Sequence, residues 1–186
     1  QAALAAVREA MAGVYVTASS DVFPQIKEYE RVSTTIVNAY VGPVVDRYMQ
    51  RLVVRLKEAG YAGPLLIMLS HGGVAPVEEA VRLAAATVLS GPAGGVAGAR
   101  YAAELLATGN LIPFDMGGTS TDISLIRRST PGVTIERGIA GERIALPSLD
   151  IVTLGAGGGS IARVDAGGLL HVGPESAGAQ PGPACY

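Results

Sequence analysis

Phe114-Asp115-Met116-Gly117-Gly118-Thr119-Ser120-Thr121-Asp122 is the stretch whose reading decides the fold. Apolar residues 111–116 predict a strand that delivers the Asp115 carboxylate at its end. Residues 120–126 predict a second strand, with Ile123 and Leu125 alternating with Asp122 and Ser124. Gly117 and Gly118 join them, so the two strands are expected to be adjacent and antiparallel. Two glycines let the backbone turn tightly, and several N–H groups then point into one concavity that suits phosphate oxygens. Thr119 and Thr121 add hydroxyl donors. Asp115 would repel a phosphate, so a divalent cation is required between them. Mg2+ takes oxygen ligands and keeps waters, which fits one carboxylate plus phosphates. The plainer alternative is a β-hairpin with a Gly-Gly turn and a capping Asp.

Upstream, Pro92 opens a Gly/Ala-rich helix expected to reach residue 107. It contains Gly91, Gly94, Gly95 and Gly98. Each glycine costs about 1 kcal/mol against alanine inside a helix, so retaining four predicts a helix face that another backbone approaches closely. Earlier, Ser33 is a candidate cap for a long helix. Ile36, Tyr40, Val44, Tyr48, Leu52 and Leu56 recur every four residues and predict a core-facing stripe. Pro43 after Gly42 predicts a kink or a fresh helix start. Arg47, Arg51 and Arg55 read as a solvated row on that helix. Residues 65–69 predict a buried strand, 76–86 a helix and 87–89 a brief strand. From Val133 onward the sequence reads as short strands and glycine turns. Alternating strands and helices favour an α/β class.

The balance of 14 Lys plus Arg against 16 Asp plus Glu gives a net charge of −2, which offers no electrostatic footprint for nucleic acid. No apolar run is long enough to span a bilayer. A single cysteine, Cys185, rules out an intrachain disulfide and fits a reducing, cytoplasmic setting. It reads as a packing or surface residue, and with two lone histidines it makes no zinc site. The 25 glycines cluster beside apolar runs, as turns do and flexible linkers do not. The chain opens inside a helix and stops in a loop, and so reads as an internal piece of a longer polypeptide.

Further glycines stand at Gly155, Gly157, Gly158 and Gly159. With Ser160 they form either a second backbone nest for an anion, Gly157 and Gly158 included, or a simple strand turn. His71 and His171 read as structural or surface residues, and Asp150 and Asp165 as turn or capping residues.

These motifs occur in order. Leu89-Ser90-Gly91-Pro92-Ala93-Gly94-Gly95-Val96 comes first, then the Asp115 motif and Gly155-Ala156-Gly157-Gly158-Gly159-Ser160-Ile161-Ala162. Val172-Gly173-Pro174-Glu175-Ser176-Ala177-Gly178 and Pro181-Gly182-Pro183-Ala184-Cys185-Tyr186 follow. Glu28-Tyr29-Glu30-Arg31-Val32-Ser33-Thr34-Thr35 and Asn38-Ala39-Tyr40 precede them. Together they resemble hydantoinase A / 5-oxoprolinase subunits over nearly the whole chain. A small-residue helix, a strand, an Asp-x-Gly-Gly-Thr turn and a second strand also resemble the inner crossing of the actin-like ATPase superfamily.

The resemblance implies a ribonuclease H-like, actin-like ATPase lobe with a mixed sheet and flanking helices. On this reading residues 1–109 form a helical and α/β segment that ends in the inter-lobe glycine helix. Residues 110–186 form a β-rich phosphate-binding portion. It implies ATP and Mg2+, with Asp115 as the catalytic and metal-binding carboxylate and Gly117, Gly118, Thr119, Thr121, Gly157 and Gly158 around the phosphates. It implies ATP-dependent hydrolysis of a cyclic amide such as a hydantoin or 5-oxoproline, with a hydantoinase B-type partner subunit or domain. A subunit of an acetone- or acetophenone-type carboxylase is the alternative, and a non-catalytic nucleotide switch a third. The family carries an earlier Asp-x-Gly-Gly-Thr motif that these residues do not contain. The piece alone is therefore expected to hold part of the site and to be inactive.

Overall fold

The computed structural model describes residues 2–135, 137–139 and 141–183, so Cys185 lies outside the described residues. The chain is of the α/β class and separates into two units. One joins Gln1–Ala93 to Val133–Leu149, the other Gly94–Gly132 to Asp150–Tyr186. The two units interleave along the sequence. All strand pairs among the described residues are antiparallel, so the mixed sheet is not seen in this span. Most of these strands follow one another through short turns, and a parallel pair needs a long crossover. No helix among them is long and apolar enough to cross a membrane.

The first unit is built on one helix, Glu28–Glu58. It starts before Ser33, which is no cap: its hydroxyl is buried and donates to the Arg143 carbonyl at 2.7 Å. The helix continues through Pro43, so no fresh start occurs there. The expected apolar stripe is not the buried face. Ile36, Tyr40, Val44 and Tyr48 are more than half exposed, whereas Ser33, Thr34, Asn38, Gly42 and Met49 are buried. Directed hydrogen bonds, not apolar area, decide which way the helix faces. Asn38 Nδ2 donates to Tyr15 Oη at 3.2 Å, Thr17 Oγ1 at 3.0 Å and the Arg82 carbonyl at 3.1 Å. Its Oδ1 accepts from Ala85 N–H at 2.9 Å. Thr34 Oγ1 accepts from Ala145 N–H at 3.0 Å. Gly42 is required by Tyr15, because a Cβ there would stand 2.2 Å from the ring. Burial raises the Tyr15 hydroxyl's pKa above its usual value. Arg47, Arg51 and Arg55 are exposed, as a solvated row should be.

The remaining elements of this unit are small. Leu66–Met68 pairs with Val74–Pro76 as a two-stranded hairpin whose Leu66 is exposed, so the strand is not the buried one expected. Burial begins just past the strand, at Leu69, in a cluster with Ala75, Ala80 and Ala86. The helix Val77–Arg82 gives way to a 3-10 turn, Ala84–Thr87. Leu89 then takes a positive φ of 62°, which excludes the brief strand expected at 87–89.

The second unit places the site. The helix Ser90–Leu105 runs into it. A three-stranded antiparallel sheet follows, ordered Ile151–Leu154, Thr121–Ser124, Phe114–Met116. The expected second strand stops at Ser124, and Ile126–Arg127 starts a separate hairpin with Thr130–Pro131. A last hairpin joins Ser160–Val164 to Leu170–Ser176.

Candidate functional site

The register of the sheet sorts its side chains into two faces. Asp115 pairs with Asp122, and Asp122 pairs with Thr153, so these three form one polar row across the sheet. Thr153 Oγ1 donates to Asp122 Oδ1 at 2.5 Å. Phe114, Ile123 and Val152 form the row on one side of it, and Met116, Thr121 and Leu154 the row on the other; both lie on the opposite face. The sequence reading named Asp115 and missed Asp122. The signal was present: a tight turn between 116 and 121 puts residues 115 and 122 opposite each other. Like charges directly opposite repel across an antiparallel pair, so a cation between them would be stabilised.

Asp115 is exposed and is the middle residue of its strand, one residue before the strand ends at Met116 and the turn begins. Its Oδ2 lies 3.5 Å from the position a Cβ would take on Gly95 of the glycine helix. That contact is with a carboxylate and not with another backbone. A Cβ at Gly91 or Gly98 would meet nothing within 4 Å. At these three positions the glycines do not form the close backbone contact expected of them.

The turn is closed by Gly117 N–H donating to the Ser120 carbonyl at 2.9 Å. Neither Gly117 nor Gly118 has a positive φ. Gly118 and Thr119 are exposed, and among the described residues no protein acceptor takes their N–H groups. The carbonyls of Gly117 and Gly118 are occupied. Gly158 N–H donates to Gly117 O at 2.9 Å and Gly159 N–H to Gly118 O at 2.7 Å. Gly157 N–H is held by Ser160 Oγ at 2.7 Å. Thr121 is 2% exposed, and its hydroxyl donates to the Ala156 carbonyl at 2.5 Å. The structure thus brings all the sequence-predicted residues into one cluster but divides their roles. Asp115, Gly118 and Thr119 keep open polar groups. The Thr121 hydroxyl and the N–H groups of Gly157 and Gly158 are engaged with protein.

The histidines are local. His71 Nδ1 accepts from Gly73 N–H at 3.1 Å. His171 Nε2 is 2.7 Å from Asp165 Oδ2, and Asp165 Oδ1 accepts from Gly167 and Leu169 N–H groups, so Asp165 is the turn residue expected. The His171 hydrogen bond, then the backbone N–H groups, hold the Asp165 carboxyl below its ordinary pKa. No group of three or more His, Cys, Asp or Glu able to hold a metal occurs among the described residues. The Asp115–Asp122 pair fits Mg2+ bound mainly through phosphates and water, and not an all-protein cage.

The α/β chain thus carries an exposed strand carboxylate beside an open turn that a glycine loop braces. The sequence matches the hydantoinase/oxoprolinase family over residues 31–186, and the chain belongs to that family. It is 44% identical over 186 residues to caprolactamase subunit alpha of Pseudomonas jessenii, covering 100% of this chain and 27% of that subunit. The crystal structure of the ATP-dependent caprolactamase from that organism superimposes with a TM-score of 0.80. Identity to 5-oxoprolinase 1 of Arabidopsis thaliana is 43% over 173 residues, covering 92% of this chain and 13% of that protein. A nucleotide-free acetone carboxylase structure gives a TM-score of 0.74 at 34% identity, with 94% of this chain and 24% of that chain covered. The chain therefore spans about a quarter or less of the length of these relatives.

Proposed function

We propose that this chain is the part of an ATP-dependent cyclic amide hydrolase that binds the outer phosphates of ATP and Mg2+, within an actin-like lobe. The observation that carries the reading is the juxtaposition of Asp115 with the open N–H groups of Gly118 and Thr119. Asp115, faced by Asp122, would hold Mg2+, whose charge offsets that of the phosphates. The N–H groups of Gly118 and Thr119 and the Thr119 hydroxyl donate to phosphate oxygens. Gly117 shapes the turn, and Thr121, Gly157 and Gly158 support it from behind. In the complete enzyme, phosphoryl transfer from ATP to the amide oxygen of the substrate would release ADP and make the ring carbon electrophilic. Water would add to that carbon, the C–N bond would break with the nitrogen taking up a proton, and a second water would hydrolyse the resulting acyl phosphate to carboxylate and phosphate. The relatives named as subunits support a partner of the hydantoinase B type.

A second reading, a ketone carboxylase subunit, is favoured by the acetone carboxylase superposition and by 35% identity to an acetophenone carboxylase gamma subunit. The test is ADP release by the full-length protein with its partner, given 5-oxoproline, hydantoin, caprolactam, or acetone with bicarbonate. Stimulation by a cyclic amide, lost in Asp115→Ala, is the expected result. Stimulation by acetone plus bicarbonate alone selects the carboxylase. Turnover indifferent to every substrate selects a nucleotide switch.

A further inference from the structure

We infer that the glycine loop at residues 155–160 aims the phosphate donors, and that Thr121 and Gly157 are the positioning residues of this device. The inference rests on the phosphate-binding reading of the Asp115 turn. It begins with two successive carbonyls. Gly117 O and Gly118 O accept from Gly158 and Gly159 N–H groups at 2.9 and 2.7 Å. In a trans peptide the C=O and the following N–H point in opposite directions. Fixing the Gly117 carbonyl toward the loop therefore fixes the Gly118 N–H away from it. Fixing the Gly118 carbonyl does the same for the Thr119 N–H. Successive carbonyls alternate in direction along a strand but run the same way in a helical turn. The loop thus holds two neighbouring donors parallel, on the exposed side of the turn.

The direction also agrees with the sheet. Thr121, which bonds the loop, lies on the face opposite Asp115 and Asp122. Donors turned away from the loop are turned toward the carboxylate face. The ligand class that fits two parallel N–H donors beside a carboxylate pair is a metal-bound polyphosphate.

The device is closely fitted. A Cβ on Gly157 would stand 2.7 Å from Gly117 O, 2.7 Å from Ser120 N and 2.8 Å from Gly118 C, all backbone. One on Gly159 would stand 3.1 Å from Gly118 O. The loop is itself anchored from behind, since Ala177 N–H donates to Gly159 O at 2.8 Å and Ser176 Oγ to the same oxygen at 3.2 Å. Thr121 Oγ1 supplies the side-chain tie, to Ala156 O.

The experiment uses the full-length enzyme with its partner and follows ATP-dependent turnover of the activating substrate. Thr121→Val keeps shape and removes the donor, whereas Thr121→Ser keeps the donor. Losing one net hydrogen bond corresponds to roughly three- to tenfold. We expect Thr121→Val to raise the KM for ATP by about that factor, with little change in kcat or in the KM for the second substrate. Thr121→Ser should restore the KM. Gly157→Ala should raise the KM for ATP further. If it fails to fold, the Thr121 pair still decides. An unchanged KM for ATP in Thr121→Val, or a fall in Tm and kcat at constant KM, overturns the inference. Full ATP turnover in Asp115→Ala would instead overturn the phosphate-binding reading beneath it.

Discussion

Asp115 stands over Gly95, its Oδ2 3.5 Å from where a Cβ on that glycine would lie. At that distance an alanine makes ordinary contact, and it gains about 1 kcal/mol of helix propensity over glycine. A valine adds methyl groups toward the carboxylate. Gly95→Ala should therefore leave ATP turnover of the full-length protein intact. Gly95 and Asp115 are both exposed, so Gly95→Val should leave the melting temperature near that of the wild type and lower turnover by displacing Asp115. Thermal melts and ADP-release assays on both variants check this. Wild-type turnover in Gly95→Val would mean that the contact does not constrain the site.

Asn38 is fully buried and serves four partners through one amide. Asn38→Ala leaves the Ala85 N–H and the Arg82 carbonyl without their side-chain partner, at about 1–3 kcal/mol for each group left unsatisfied. Hydrogen exchange at the Ala85 amide is the direct readout. Protection there should fall by at least about tenfold, the equivalent of about 1.4 kcal/mol. Unchanged protection would show that water replaces the amide without loss.

The Asp165–His171 pair makes a pH prediction. The folded pKa of Asp165 is lowered from the ordinary 3.8, first by the His171 hydrogen bond and then by backbone N–H groups. A depressed carboxyl stabilises the fold above its unfolded pKa, and that contribution disappears as pH falls through the lower folded value. The hairpin Ser160–Val164 with Leu170–Ser176 should therefore lose exchange protection below about pH 4. A carboxyl NMR titration should show His171→Ala moving the Asp165 midpoint upward. An unmoved midpoint would assign the whole shift to the Gly167, Gly168 and Leu169 amides.

Phe114, Met116, Val152 and Leu154 share one sheet face and are all exposed. An apolar patch of this kind binds hydrophobic dyes. The 186-residue chain should enhance ANS fluorescence, and Phe114→Glu with Val152→Thr should reduce the signal several-fold without unfolding the protein. Equal fluorescence in the double variant would place the dye elsewhere.

Local pattern and local chemistry made part of this protein legible from its sequence alone. Gly117 and Gly118 between two apolar runs specify a hairpin, because the turn and its flanking strands are neighbours in the chain. Ordered motifs specify the family, because each is a contiguous string. The strand, the turn and the Asp115 carboxylate were therefore readable. The direction of the long helix was not: its apolar period points to Ile36, Tyr40, Val44 and Tyr48, yet Thr34 and Asn38 are the buried residues. Apolar periodicity counts area, whereas Asn38 is held by partners 21, 23, 44 and 47 residues away. The same limit applies to the glycine loop and to Thr121. The sequence shows that Gly157, Gly158 and a threonine hydroxyl can donate. Only the tertiary structure decides that their donors are used on Ser160, Gly117 and Ala156, because a donor's partner is set by which backbone folding brings within 3 Å.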